Sequence, residues 1–487
     1  MPPASSPQWP LRLFAFLLIP LACWQVWLFR GIPNYYAQHF LLYPCLVFMF
    51  WAWRRRLWSV AEAWGVLRPF LPWLVLLFVM QAAAGWQSAQ LYLPQNASRL
   101  HAVLLGLLKL AAQIPFVLFF AMLCRVLMRD AAARRLLVRG ACWTFAALAL
   151  WCAVQAIYVY GVSTMYYQAG ESRSPLRNLV HETLAALSPW LEARWPDSTY
   201  DFYSKGAYAL TLARFNGFFE EASALAAMIA VFFVPLAFGL LAMAYRGRKF
   251  LFAGFSILTC CLAIMILCRS GTGQILAAVT LGLALLFCLR GGGKGAKTLI
   301  TLALAAGCVY AAMNTPHIHN YLLKRSMWQN VSNLPRVVVT LDTLEMIAKY
   351  PLLGVGRNWY FAHLHNGAHY MQNLQDKELR DWKEKGSGGE LSALPALGAQ
   401  YGLPLLALAF AFTGSVWLRL HTLHRIRPAD NTLSFATSAC TAWLVLGFVA
   451  SLAALDVRNP LFSLPFFCFY ALSQHMGLED SAGSGTA

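Results

Sequence analysis

Apolar runs recur along the whole chain, and polar residues gather in the gaps between them. A run of roughly 17 to 25 apolar residues, folded as a helix, crosses a ~30 Å hydrocarbon layer. The pattern predicts spans at roughly 11–29, 39–53, 67–85, 102–124, 141–161, 222–244, 250–268, 273–289, 298–313, 392–418, 432–452 and 459–475. The first run carries bulky Trp24 and Trp27 and no small-x-small cleavage site, so it reads as a span and not as a secretory signal. The repetition predicts an all-α, polytopic integral membrane protein of about twelve transmembrane helices.

Two gaps are long, about 162–221 and 314–391. Loops beyond ~15 residues are usually functional or disordered. In the second, Pro335 is followed by Val337, Leu341 and Leu344 at helical spacing, and Pro351 ends the run. That spacing predicts a short amphipathic helix lying against the membrane surface or the bundle mouth. The organisation expected is a single transmembrane domain over 1–475 and a disordered tail over 476–487.

Composition agrees: 59% of residues are hydrophobic and 12% charged, against about a quarter charged in soluble chains. The formal charge of +18 would suit nucleic acid, but its distribution does not. With the N-terminus inside, Arg54–Arg56, Arg125–Arg139, Arg246–Lys249, Arg290–Lys297 and Arg419–Arg427 all fall on one side. That is the positive-inside pattern, with anionic membrane lipids as natural contacts. Both termini are thus expected in the cytoplasm and both long loops in the periplasm, with no nucleic-acid partner. The twelve cysteines, Cys23 to Cys468, lie in or at the ends of apolar runs, so neither a disulfide framework nor a zinc spacing is present.

Charged residues at the outer membrane edge need a reason to be there. Arg214-Phe-Asn-Gly217-Phe-Phe-Glu220-Glu221-Ala-Ser223 leads straight into a span. Arginine offers a planar fork for phosphate oxygens, and the following helix N-terminus favours an anion. A plain alternative is a capped helix with a snorkelling arginine. Arg269-Ser-Gly-Thr-Gly273 is a tight outer turn whose small residues would admit a substrate, or simply make the turn. The third stretch holds Arg336, Glu345, Pro351-Leu-Leu-Gly354-Val-Gly356-Arg357, His363, His365-Asn366, His369 and Glu390. His365 and His369 are four apart, as on one helix face, but no glutamate lies between them in the HExxH manner. No metal site is expected; a histidine or glutamate acting as general base is the sharper reading, structural histidines the plainer one.

These three stretches, in this order, resemble the O-antigen ligase / Wzy-type polysaccharide polymerase superfamily of bacterial envelope enzymes. The likeness rests on R-x-x-G-x-F-x-E-x-S at Arg214–Ser223, the turn at Arg269, and the loop from Arg336 to Gly356 before Tyr401-Gly-Leu-Pro404. It covers roughly 210–405. It implies an inner-membrane glycosyltransferase that moves a glycan from a polyprenyl-diphosphate carrier to an acceptor hydroxyl at the periplasmic face. The transfer would invert configuration and need no metal or other cofactor. Arg214, Arg269, Arg336 and Arg357 are then the candidate diphosphate or glycan ligands, and Glu221, His365, His369 and Glu390 the candidate bases. Glu221-Ala-Ser223 is similar to the Glu-Pro-Ser of exopolysaccharide polymerases, which favours polymerisation of undecaprenyl-diphosphate-linked repeat units. Ligation of glycan to lipid A–core is the alternative, because the ligases' His-Asn pair would fall at Leu391 and Ser392. A lipid-linked donor, a glycan or lipid A–core acceptor, and a chain-length regulator or flippase are the implied partners. A transporter of lipid-linked glycan is the rival from another class, although no half-to-half repeat is visible.

Overall fold

A computed structural model describes residues 8–28, 40–94, 97–159, 200, 202, 209, 214–290, 334–386, 393–453 and 460–483. Every regular element among the described residues is helical. The first helices are α1 (Trp9–Leu28), α2 (Leu42–Arg54), α3 (Val60–Leu67), α4 (Leu71–Tyr92), α5 (Arg99–Ala111), α6 (Gln113–Arg129) and α7 (Ala131–Tyr158). Next come α8 (Ala222–Met228), α9 (Val234–Ala242), α10 (Arg248–Leu267) and α11 (Gly271–Arg290). Five short helices follow: α12 (Leu334–Lys349), α13 (Tyr360–His365), α14 (Ala368–Gln372), α15 (Lys377–Glu384) and α16 (Ala393–Tyr401). The chain closes with α17 (Leu403–Ile426), α18 (Asn431–Ala453) and α19 (Pro460–Gly483).

Among the described residues, seven helical stretches are long and apolar enough to cross a membrane: Val60–Tyr92, Arg99–Arg129, Ala131–Tyr158, Ala222–Ala242, Arg248–Leu267, Leu403–Ile426 and Asn431–Leu452. Trp9–Gln25 and Gly271–Phe287 are shorter apolar helices. The expected span at 298–313 lies outside the described residues, as does most of the expected loop at 162–221. Small residues bring the helices together, as expected where lipid gives no hydrophobic drive between them. A Cβ at Gly140 of α7 would come within 2.2 Å of the Phe16 carbonyl oxygen of α1. Gly239 of α9 lies under the Phe435 ring of α18, and Gly254 of α10 against Leu241 and the Ala237 carbonyl. Between α8 and α9 the backbone widens into a π turn at Ile229–Phe233, beside Pro235, whose missing N–H cannot bond back to Val231.

Three expected boundaries move. The third span starts earlier and ends later than 67–85: Ser59 caps α3 by accepting the Glu62 N–H at 3.2 Å, and α4 runs on to Tyr92, its Gln81 and Ser88 bonded to carbonyls of the cap. The segment 392–418 is broken at Gly402, where φ is +82° and a Cβ would come within 2.2 Å of the Leu352 carbonyl oxygen. Only α17 is therefore membrane-length, and α16 belongs with the preceding short helices. The last helix runs to Gly483, so much of the expected tail is helical.

The basic clusters mark one end of the bundle. Arg12 lies 3.7 Å from Asp130, which caps α7. Arg129 pairs with Glu62 at 3.1 Å and donates to the Leu57 carbonyl. Arg246 donates to Asn431 Oδ1 and the Ala429 carbonyl, both at 2.8 Å. At the other end α12–α16 form a cap with its own core of Val338, Val339, Met346, Tyr360, Leu364, Tyr370, Leu379 and Ala399. The amphipathic helix expected between Pro335 and Pro351 is α12, but its buried face carries Val338, Val339, Asp342, Thr343 and Met346. Leu341 and Leu344, part of the expected apolar face, point outward, as does Leu352.

Candidate functional site at the capped end

The strap 351–356 is what fixes the cap to the bundle. Gly354 (φ +69°) and Gly356 (φ +81°) take left-handed backbone, and a Cβ at Gly354 would meet the Ala399 carbonyl oxygen at 2.6 Å. The strap thereby lies along the end of α16, with Val355 N–H donating to Ala399 O at 2.7 Å and Gly356 N–H to Gln400 O at 3.2 Å. From α4, Gln81 Nε2 donates to Gln400 O while its Oε1 accepts the Arg357 N–H, both at 3.0 Å. Ser88 spends its hydroxyl proton on Val355 O at 2.7 Å, so it accepts from His363 Nε2 at 2.9 Å. His363 Nδ1 is then left to accept from the Tyr92 hydroxyl at 3.3 Å. Burial, aided by the charge of Lys349, lowers the His363 pKa to about 4. His363 is a neutral fastener between cap and bundle.

His365 is buried too, between the rings of Phe361 and Tyr370. Burial and then the charge of Lys383 lower its pKa. It shares no helix face with His369: Asn366 and Gly367 separate α13 from α14. His369 is the accessible one, with its side chain 43% exposed.

Asp342, 1% exposed, receives that histidine. Its oxygens accept the backbone N–H groups of His369 at 3.1 Å and Tyr370 at 2.7 Å, closing the start of α14. Oδ1 also lies 2.9 Å from His369 Nδ1. An acceptor-only carboxylate there puts the imidazole proton on Nδ1 and leaves Nε2 with a lone pair directed away from Asp342. Gly367 is required at the approach, since a Cβ would sit 2.5 Å from an Asp342 oxygen. Glu345, one turn on, is 3.8 Å from His369 Nδ1 and is held by Lys349 at 2.7 Å. The hydrogen bond and charge of Lys349 lower the Glu345 pKa. Ligand atoms of Asp342, Glu345 and His369 lie within 4.8 Å of one another and could hold a divalent cation. Both Asp342 oxygens and one Glu345 oxygen already have donors, which suits an oriented base better.

Arg214 and Arg269, 55 residues apart, meet: Arg214 Nε donates to the Arg269 carbonyl at 3.1 Å. Arg269 has a φ of +54°, which turns that carbonyl out of α10. The turn's glycines serve packing more than substrate approach, because Gly273 faces the Met265 carbonyl, Ala226 and Cys268. Gln155 of α7 holds the other strand of the site, accepting the Gly217 N–H at 2.7 Å, while the Tyr200 hydroxyl donates to Gly217 O at 3.0 Å. Glu221 is the exposed N-cap residue of α8 and accepts from the Ser223 hydroxyl at 2.9 Å. It also stands within electrostatic range of the cap. Glu378 has its pKa raised by burial first and by Asp376, with Arg336 opposing and Glu221 adding to the rise. Arg336 precedes Asp342 on α12 by six residues, about 9 Å of helix. The three stretches singled out in the sequence thus share one end of the molecule. Glu390 lies outside the described residues.

Asp342, Gln81, Ser88 and Gln155 were not singled out in the sequence. Gln81 and Ser88 are seven apart, two turns on one face of an apolar span, which is a signal of a polar seam. No protein-family model matches the chain, and no curated protein matches it. What the described residues define is a multi-pass helical membrane protein with a small helical cap over one end.

Proposed function

We propose that this protein is a glycosyltransferase of the polysaccharide polymerase type, working at the periplasmic face of a bacterial inner membrane. Its twelve spans would include the segment at 298–313, and the basic end would face the cytoplasm. The observation that carries the reading is the grouping, at the capped end, of the Arg214–Arg269 pair with an exposed histidine oriented by a buried aspartate. Two guanidinium groups at the edge of the bundle suit a lipid diphosphate leaving group. His369 Nε2 takes the proton of the acceptor hydroxyl. The hydroxyl oxygen attacks the anomeric carbon, the bond to the diphosphate oxygen breaks, and the configuration inverts. The diphosphate departs on its lipid, its charge held by the arginines. Glu221 is the second candidate base, since it is exposed and lies at the same end.

A clean deletion tests this, with gel analysis of surface polysaccharide and of glycan left on the carrier. Single repeat units accumulating on the carrier are expected. Long glycan stranded on the carrier beside bare lipid A–core would assign the ligase instead. Unchanged glycan in both pools would end the glycosyl-transfer reading and leave transport.

A further inference from the structure

Towards the basic end of the bundle, three helices each pair two residues along one face. Ala121 and Arg125 are four apart on α6, Phe412 and Arg419 seven apart on α17, and Tyr470 and Gln474 four apart on α19. The first member of every pair lines a cleft of about 790 Å³ between α3–α4, α5–α6, α16–α17 and α19. Apart from Gln113 and the hydroxyls of Tyr401 and Tyr470, its walls are apolar. On α3–α4 the lining runs from Val66 to Leu77, roughly 16 Å of helix axis, or about one leaflet of a ~30 Å hydrocarbon layer. Trp73 and Val117 on its walls are 48% and 50% exposed, so the cleft opens sideways to the bilayer.

The second members gather around α19. The rings of Phe70, Phe412 and Tyr470 meet with centroids 5.2, 5.6 and 6.5 Å apart, so Tyr470 belongs to the wall of the cleft. Cys124 Sγ lies 3.7 Å from Cys468 Sγ, which sets the next residue of α6, Arg125, beside α19. Arg419 Nη1 donates to Gln474 Oε1 at 3.2 Å. Its Nη2 lies over Gly477, where a Cβ would come within 2.4 Å. Both guanidinium groups stand within electrostatic range of the Tyr470 hydroxyl. Among the described residues neither Arg125 nor Arg419 forms an ion pair. Two cations at the edge of hydrocarbon with no counter-charge call for an anion, and a phosphate oxygen fits the guanidinium fork.

We propose that the cleft binds one acidic phospholipid from the leaflet at the basic end, its acyl chain between α4, α6 and α17 and its phosphate at Arg125 and Arg419. The occupant follows from shape and charge together. A sideways opening admits what the bilayer carries, and a lining one leaflet deep matches a phospholipid tail. The two unpaired arginines prefer a headgroup of net negative charge to a zwitterionic one. Bound there, the lipid fills the gap between α4 and α17, the two helices whose other ends meet the strap through Gln81 and Gly402. The site stands apart from the glycosyl-transfer reading, because no residue assigned to that chemistry lines the cleft.

The test is native mass spectrometry of the purified, delipidated full chain titrated with phosphatidylglycerol or with phosphatidylcholine of the same acyl chains. Wild-type protein should retain one phosphatidylglycerol about tenfold more tightly than phosphatidylcholine, as a charge-assisted bond implies. Arg125→Gln with Arg419→Gln should erase that preference and leave phosphatidylcholine binding as it was. Leu74→Trp with Ala409→Trp, filling the cleft, should abolish retention of both lipids while a cooperative melting transition persists. If that variant fails to fold, the arginine variant decides alone. Equal retention of the two lipids by wild type, or a preference that survives loss of both arginines, would overturn the site. So would retention that survives the two tryptophans, by placing the lipid elsewhere. A dimer that the tryptophan variant breaks would give the cleft to a second copy of the chain instead.

Discussion

Asp342 and His369 make a pair whose parts have separate duties, and substitution separates them. His369→Gln should lower turnover by roughly 10²- to 10⁴-fold, the range of a general base. Asp342→Asn should lower it as well, while leaving donor-lipid binding unchanged in a retention assay. Asp342→Ala strands the N–H groups of His369 and Tyr370, at about 1–3 kcal/mol for each buried donor. Its melting temperature should therefore fall, whereas that of His369→Gln should not. Full turnover by His369→Gln would move the base to Glu221. His369 could be read from the sequence as a candidate because histidines are few and clustered. Asp342 could not, since an acid on a helix normally faces water and here the chain reverses at Gly367 to cover it. His365 misled for the opposite reason: nothing in the local sequence says that Phe361 and Tyr370 close over it.

Gly402 and Gly414 offer a comparison at the same scale. Gly402→Ala should prevent the cap from seating, because its Cβ would meet the Leu352 carbonyl and its φ is +82°. Gly414→Ala meets nothing within 4 Å and should change stability by less than about 1 kcal/mol. Thermal unfolding of the two purified variants distinguishes them; equal melting would mean that the strap contact carries no weight.

Helices were legible where apolar periodicity decides the matter, and their ends were not. The two prolines bound α12 almost to the residue, but they do not say which face is buried, because Val337, Leu341 and Leu344 are as apolar as Val338, Val339 and Met346. The break at Gly402 was invisible, since α16 is itself apolar and only its partner strap shows that it belongs to the cap. Between α4 and α13 the fastener is titratable. The His363 pKa is depressed from 6.5 to about 4, so below pH 6.5 the undocked state binds a proton that the docked state refuses. Docking should be constant above pH 6.5 and weaken progressively as pH falls towards 4. Hydrogen exchange at Val355–Arg357 should accelerate over that window in wild type. His363→Gln should exchange at a rate independent of pH after correction for intrinsic chemistry; a retained window would place the titration elsewhere.

At the scale of the molecule, charge asymmetry was the most legible feature. Arg12, Arg129 and Arg246 all engage partners at the end opposite the cap. Reporter fusions should place Arg246 in the cytoplasm and Lys377 in the periplasm. The reverse result would put the arginine pair out of reach of a periplasmic glycan. What the sequence hid at this scale is the convergence of segments 214–223, 269–273 and 336–369. Gln155 ties Gly217 to α7, and Gln81 and Ser88 tie the cap to α4, each a single polar side chain inside an apolar helix.

The outward leucines of the cap bear on what a glycosyltransferase of the proposed kind could select. Leu341, Leu344 and Leu352 give the cap exposed apolar side chains, and on the proposed orientation these would float at the lipid headgroups. A histidine carried on such a float keeps one altitude above the hydrocarbon. Sugar hydroxyls presented on a lipid stalk would then be sorted by how far they stand from the membrane, as by a gauge. Which hydroxyl becomes the linkage would depend on the length of the stalk as much as on the shape of the pocket.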